Sequence, residues 1–157
     1  MVREYKNIDA KLKESLENAF GDKVKVENPR PHRLNVTVSR DDALEVVKHL
    51  NEKHGLTYVS TITGVDAIEH YEVIYHFFLE NTVINLKAIV PKEENPWVHS
   101  IYHIIPGADL YERENKDLLG IYPKGHPDPS RQTLPEDWPE GDYPLRKDWP
   151  AKERGIR

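Results

Sequence analysis

Apolar side chains recur every third or fourth position from Tyr5 to Phe20, at Ile8, Leu12, Leu16, Ala19 and Phe20, with lysine and glutamate between them. That period predicts an amphipathic helix, which Gly21 ends. A short strand is expected at Val24–Val26. Asn28-Pro29-Arg30-Pro31 then breaks any helix, and Leu34, Val36 and Val38 alternate with Asn35, Thr37 and Ser39 as a half-buried strand does. Ser39 or Asp41 can cap a second helix with the stripe Ala43, Leu44, Val46, Val47 and Leu50, stopped by Gly55. Three strands follow, at Thr57–Asp66, Tyr71–Leu79 and Val83–Val90, the last two joined by a Glu80-Asn81 turn. They predict an antiparallel meander. Pro91 to Pro96 is a charged loop, Trp97–Ile105 predicts a short helix, and Ala108–Leu119 another one ended by Gly120. The order α-β-α-β-β-β predicts an α+β fold, a small two-layer sandwich with an antiparallel sheet and helices on one face.

The pattern changes at Gly120. Seven of the twelve prolines lie between Pro123 and Pro150, so no regular element is expected to persist there. The same stretch holds Tyr122, Leu134, Trp138, Tyr143, Leu145 and Trp149, whereas a disordered tail is poor in such residues. The chain therefore divides into an α+β domain over 1–119 and an extended proline-rich tail over 120–157. Such a tail becomes ordered by lying against a large surface, its prolines lowering the entropy lost on docking. A partner protein is the favoured surface, and the chain's own domain is the other reading.

Composition narrows the function. The chain of 157 residues has a net charge of -5, so it has no basic field for a nucleic-acid backbone. It has no cysteine, which excludes disulfides, thiolate zinc sites, cysteine-ligated iron–sulfur clusters and cysteine nucleophiles. The N-terminal stretch lacks an apolar h-region, and Tyr71–Leu79, interrupted by Glu72 and His76, is too short to span a bilayer. The expected location is the cytoplasm, or the periphery of a membrane through another protein.

Candidate chemistry is sparse. His99 and His103 stand four apart and could meet on a helix face, as zinc ligands do, but no glutamate base accompanies them; polar contact at a helix surface is the simpler reading. His126, in Gly125-His126-Pro127-Asp128, is either a structural hydrogen-bonder or a catalytic group. Glu112, Glu114 and Asp117 surround Arg113 and Lys116; they could act as paired carboxylates or as a salt-bridge network anchoring the tail. A stand-alone metal-dependent hydrolase using His99, His103, His126 and Glu114 is thus the alternative to a binding role. In the tail, Arg131, Arg146 and Lys147 are mixed with acidic residues, and Trp138 and Trp149 are natural interface anchors.

Glu112-Arg113-Glu114, Asp117, Gly120-Ile121, Gly125-His126-Pro127-Asp128, Arg131, Leu134-Pro135-Glu136-Asp137-Trp138 and Pro144-Leu145-Arg146-Lys147-Asp148-Trp149-Pro150 occur in that order. Together they resemble the signature of the thirty-kilodalton subunit family of respiratory complex I, the NADH-quinone oxidoreductase. A similar module occurs in energy-converting membrane-bound nickel–iron hydrogenases. The resemblance implies a non-catalytic peripheral-arm subunit with no cofactor of its own, on the cytoplasmic side of the cell membrane and without direct insertion. Its implied partners are the large catalytic subunit, of the complex I or the hydrogenase large-subunit type, and the small iron–sulfur subunit. Iron–sulfur clusters, and in the hydrogenases a nickel–iron centre, would lie in those partners. Glu112, Arg113, Glu114, Asp117, His126, Arg131, Trp138, Arg146, Lys147 and Trp149 are the implied docking residues, serving assembly. The short chain favours a hydrogenase or ferredoxin-linked type over an NADH-driven one.

Overall fold

A computed structural model describes residues 7–150 of the chain. The first helix, α1, runs Asp9–Phe20 and buries Leu12 and Leu16 through its apolar stripe. Tyr5, where the period begins, lies outside the described residues. The Asp9 carboxylate is buried and accepts bonds from Thr82 Oγ1 (2.6 Å) and the backbone N–H of His32 (2.7 Å), which pins the start of α1 to two turns of the sheet.

Strand β1 spans Lys25–Arg30, longer than the expected Val24–Val26. Pro29, within the segment expected only to break a helix, is tolerated in the strand because β1 lies at the sheet edge, and its register with β2 (Arg33–Ser39) slips between Glu27 and Arg30. Helix α2 covers Ala43–His54 with Asp42 at its N-cap position, one residue beyond the expected Asp41. Ser39 Oγ donates to the Asp42 carboxylate at 2.7 Å, so the expected serine acts one step removed from the cap. Gly55 closes the helix in the left-handed region at φ 71°.

Strands β3 (Val59–Asp66), β4 (His70–Leu79) and β5 (Thr82–Pro91) form the expected antiparallel meander. The five-stranded sheet has the order β1-β2-β5-β4-β3, and β2 runs parallel to β5. The sheet is therefore mixed and mostly antiparallel, a correction to the all-antiparallel expectation. The cause is topological: crossover through α2 returns β3 in the direction of β2, and two further reversals bring β5 back parallel beside β2.

The helices share one face of this sheet, as expected. Inward positions Leu34, Val36, Val73, Tyr75, Phe77, Ile84, Leu86 and Ala88 join Leu12, Leu16, Val46, Val47 and Leu50 in one core. On the other face, alternate residues bond across strands: His76 Nδ1 meets Asn85 Oδ1 at 2.9 Å, and Asn85 Nδ2 meets Asn35 Oδ1 at 2.9 Å.

A second correction concerns Trp97–Ile105, which is not a helix. Trp97–His99 forms β6, paired in parallel with β7 (Tyr122–Lys124), so tertiary pairing overrides the local pattern and also places a short strand in the proline-rich stretch, where no regular element was expected. Only one turn remains beyond it, where Ile105 N–H donates to Ile101 O at 2.8 Å. Helix α3, Asp109–Leu119, follows a one-turn helix at Pro106–Ala108 and ends at Gly120, whose φ of 74° suits glycine.

Gly64 of β3 sits directly under α3: a Cβ there would lie 2.3 Å from Asn115 Oδ1 and 2.4 Å from Leu119 Cδ1. Gly64→Val is therefore expected to push α3 off the sheet and cost about 2 kcal/mol by overpacking. Urea unfolding of the isolated chain measures this; an unchanged midpoint would contradict the close contact.

Candidate functional site

Helix α3 carries charge on the face that meets the proline-rich segment. Arg113 Nε donates to Ser130 O at 3.0 Å and Lys116 Nζ to Pro129 O at 2.7 Å. One turn on, the buried Asp117 Oδ2 accepts the backbone N–H groups of Gln132 (2.8 Å), Thr133 (2.7 Å) and Leu134 (3.4 Å). The cations thus take carbonyl oxygens, the carboxylate takes amides, and a stretch without secondary structure has its backbone polar groups satisfied. The i, i+3, i+4 spacing within α3 is what puts the three side chains in line.

A second hold lies at the end of β3. Asp66 Oδ1 accepts Ile68 N–H at 2.9 Å and pairs with Lys92 Nζ at 2.8 Å, while Oδ2 accepts Lys147 N–H at 3.0 Å. Burial alone would raise the Asp66 pKa; the Lys92 partner and the two amides outweigh it and bring it down to about 2. Beside it Leu145 N–H donates to Leu118 O at 3.0 Å and Arg146 Nε to Leu119 O at 2.8 Å. The Arg146 guanidinium lies over the Tyr143 ring at 4.2 Å. No side chain fits at Gly120, where a Cβ would stand 2.5 Å from Tyr143.

The intervening turn is built around Arg131, whose Nη1 reaches Pro135 O (2.8 Å) and Trp138 O (2.6 Å). Trp138 Nε1 donates to Asp142 O at 2.8 Å, Trp149 Nε1 donates to the Asp142 carboxylate, and the two indoles stack with centroids 6.3 Å apart. Among the expected docking residues, Arg113, Asp117, Arg131, Trp138, Arg146 and Trp149 therefore all bond within the chain. Lys147 contributes its backbone N–H and leaves its side chain exposed. Glu114 is half-buried and makes no hydrogen bond or ion pair among the described residues.

Glu112 points the other way, into the core. It is 4% exposed and accepts Ser100 Oγ (2.5 Å) and Ile101 N–H (2.7 Å), tying α3 to the loop after β6. Burial, with a smaller push from Asp109 and against the pull of those two bonds, raises its pKa to about 7. His126 is buried alongside. Its Nδ1 accepts Asp128 N–H at 3.1 Å, so the proton sits on Nε2, which faces Asp109 Oδ1 at 3.1 Å and Glu112 Oε2 at 3.9 Å. The close approach to Asp109 is an ion-pair distance without hydrogen-bond alignment, because Nε2 has no aligned acceptor.

These groups tie α3 and the proline-rich segment to the rest of the chain. His99 lies on β6 against Trp97 and His103 against Tyr102, so the two histidines do not share a helix face. Among the described residues no three His, Asp or Glu side chains are grouped to hold a metal ion. Glu114 does not join them, and nothing favours the hydrolase alternative. Two anchoring residues escaped the sequence reading, Asp66 and Ser100. Asp66 precedes a turn, the one signal that pointed to it, while Ser100 carries no signal before β6 is known to be a strand.

Residues 36–155 match the family described as "Respiratory-chain NADH dehydrogenase, 30 Kd subunit". The chain belongs to this family. It is 40% identical over 124 residues to the C subunit of the NADH-quinone oxidoreductase of Roseiflexus castenholzii, covering 74% of this chain and 70% of that one. It is 33% identical over 123 residues to the C subunit of the F(420)H(2) dehydrogenase of Methanosarcina mazei, covering 76% of this chain and 77% of that one. The fold is shared with a chain in the structure of the membrane-bound sulfane sulfur reductase, an archaeal respiratory membrane complex: TM-score 0.73 at 23% identity, over 96% of this chain and 93% of that chain. The two relatives are thus named as C subunits of differently named enzymes, an F(420)H(2) dehydrogenase and an NADH-quinone oxidoreductase. No described helix of this member is long and apolar enough to cross a membrane.

Proposed function

We propose that this chain is a non-catalytic peripheral subunit of a membrane-bound respiratory oxidoreductase, held on the cytoplasmic side and packed against the large catalytic subunit through the face that residues 120–150 build. Redox centres, iron–sulfur clusters and in a hydrogenase a nickel–iron site, belong to the partners in this reading; electrons pass beside this chain. The observation that carries it is the use of the signature residues. Arg113, Asp117, Arg131 and Arg146 spend their bonds on backbone groups of their own chain, so they shape a surface and leave no acid, base or nucleophile poised for chemistry. That surface presents apolar groups outward: Leu145 is 57% exposed and Tyr122 44%. The prolines and stacked indoles hold it in one conformation before docking, which lowers the entropy cost of association.

Leu145→Asp tests the reading, because the side chain bonds to nothing in the chain and its loss leaves the fold intact. In the complex purified from its source membranes, recovery of this variant with the large subunit is expected to fall about tenfold, the effect of burying an unpaired charge in an apolar contact. Thermal unfolding of the isolated variant should match wild type. Wild-type recovery of the variant would remove residue 145 from the interface, and failure of the unmodified chain to co-purify would overturn the proposal itself.

A further inference from the structure

Where β7 leaves the α3 terminus, a groove of about 400 Å³ opens on the surface, lined by Pro96, Trp97, Tyr122, Tyr143 and the two lysines Lys116 and Lys124. Its walls are three aromatic rings and a proline, and no carboxylate lines it. That is unusual in a chain with 27 acidic against 22 basic residues. The groove beside Trp138, by contrast, contains Asp117, Glu140 and Asp142. Trp97 is flanked by two cations, the Arg40 guanidinium at 4.2 Å and Lys124 Nζ at 4.3 Å from its ring. Arg40 is paired with Glu93, and Lys116 Nζ is committed to Pro129 O. Lys124 is exposed and has no carboxylate partner among the described residues, so its charge is available to a ligand.

The geometry points to this groove as the seat of an extended acidic segment from the neighbouring large subunit, an apolar residue or proline between the rings and a carboxylate on Lys124. This assignment rests on the docking role proposed above and specifies its contact. Charge selects the occupant. Aromatic walls bury an aliphatic or proline side chain well, and a single accessible ammonium at the mouth favours a carboxylate over a neutral or basic group. The chain's own residues 151–157 carry three cations against one carboxylate, which argues against their filling it.

Zero-length carbodiimide coupling joins only a lysine and a carboxylate already in contact, and it can be applied to the intact complex as purified from membranes. The expected product is an amide between Lys124 and an Asp or Glu of the large subunit, located by peptide mass spectrometry. Lys124→Glu should lose that product and weaken retention of the chain about tenfold, with a smaller loss at higher salt because like charges then repel less. Lys124→Arg, which keeps the charge but cannot couple, should be retained as wild type. If the chain co-purifies but Lys124 couples to nothing, to its own chain or to a second copy, or if Lys124→Glu is retained normally, the groove assignment is overturned while the docking role stands. A chain that never co-purifies overturns both.

Discussion

Asp117→Ala is expected to free the loop around residues 129–138 from α3 while the sheet and its core stay folded. The carboxylate is the shared acceptor for three consecutive backbone amides, Gln132, Thr133 and Leu134, and no other acceptor among the described residues takes them. Alanine leaves those amides to water and removes a negative charge from a turn whose polar groups were arranged around it. Bonds to a charged acceptor are worth about 1.5–3 kcal/mol each, and these are partly solvated, so a loss of about 3 kcal/mol in the attachment of the loop is reasonable. Arg113 and Lys116 still reach Ser130 and Pro129, but two surface-side cations cannot set the register that the amides set. Amide hydrogen exchange reads this directly: protection at 132–134 should fall about a hundredfold, with protection in β4 and β5 unchanged. Trypsin should then cut after Arg131, and assembly with the large subunit should weaken in step. Unchanged protection would mean that the loop is held by its own turn around Arg131 alone.

That prediction could not be made from sequence, although Asp117 was singled out there. The spacing of Arg113, Lys116 and Asp117 along one face of a helix is visible in the letters, and it suggested a network of charges anchoring the tail. What the letters hide is that the partners are backbone groups, since a carbonyl or an amide has no residue identity. The same holds for Arg131 and Arg146, whose guanidinium groups meet carbonyl oxygens of their own chain. The helices and the meander were legible because each buries a stripe with a local period. Topology was partly hidden: the parallel pairing of β2 with β5 joins residues about fifty positions apart, and β6 exists only because β7 lies beside it. Trp97-Val98-His99 has no strand pattern of its own beyond one buried valine.

The proline-rich stretch shows how far composition alone can go. Its tryptophans, leucines and arginines require an ordered surface, and the chain's own α3, β3 terminus and Gly120 supply the inward half of it. Backbone bonds run inward to Asp117, Asp66, Leu118 and Leu119, whereas Leu145 and Tyr122 face out. Folding back on its own domain therefore leaves the same stretch with an apolar outward face.

Glu112 should impose a pH dependence on stability that the exposed carboxylates of the chain do not. Its pKa is about 7 in the folded protein against the ordinary 4.5, because burial disfavours the anion more than Ser100 and Ile101 favour it. Between those values the folded state holds a proton that the unfolded chain has released. Stability is therefore full below pH 4.5 and declines as pH rises towards 7, the folded state then having to ionise a buried group. A separation of this size corresponds to about 3 kcal/mol lost across the window. Asp66 works in the opposite sense and elsewhere on the scale: its pKa is lowered to about 2, so its contribution is present above 3.8 and disappears only as pH falls through 2. The two effects do not overlap, and Glu112→Gln isolates the first. Glutamine keeps the shape, can accept from Ile101 and donate to Ser100 Oγ, and cannot ionise. Urea unfolding of both proteins between pH 4.5 and 8 should give a difference that grows in favour of glutamine by about 3 kcal/mol as pH rises. Parallel curves across that range would show that the carboxylate is better solvated, or better paired with His126, than its burial beneath α3 implies.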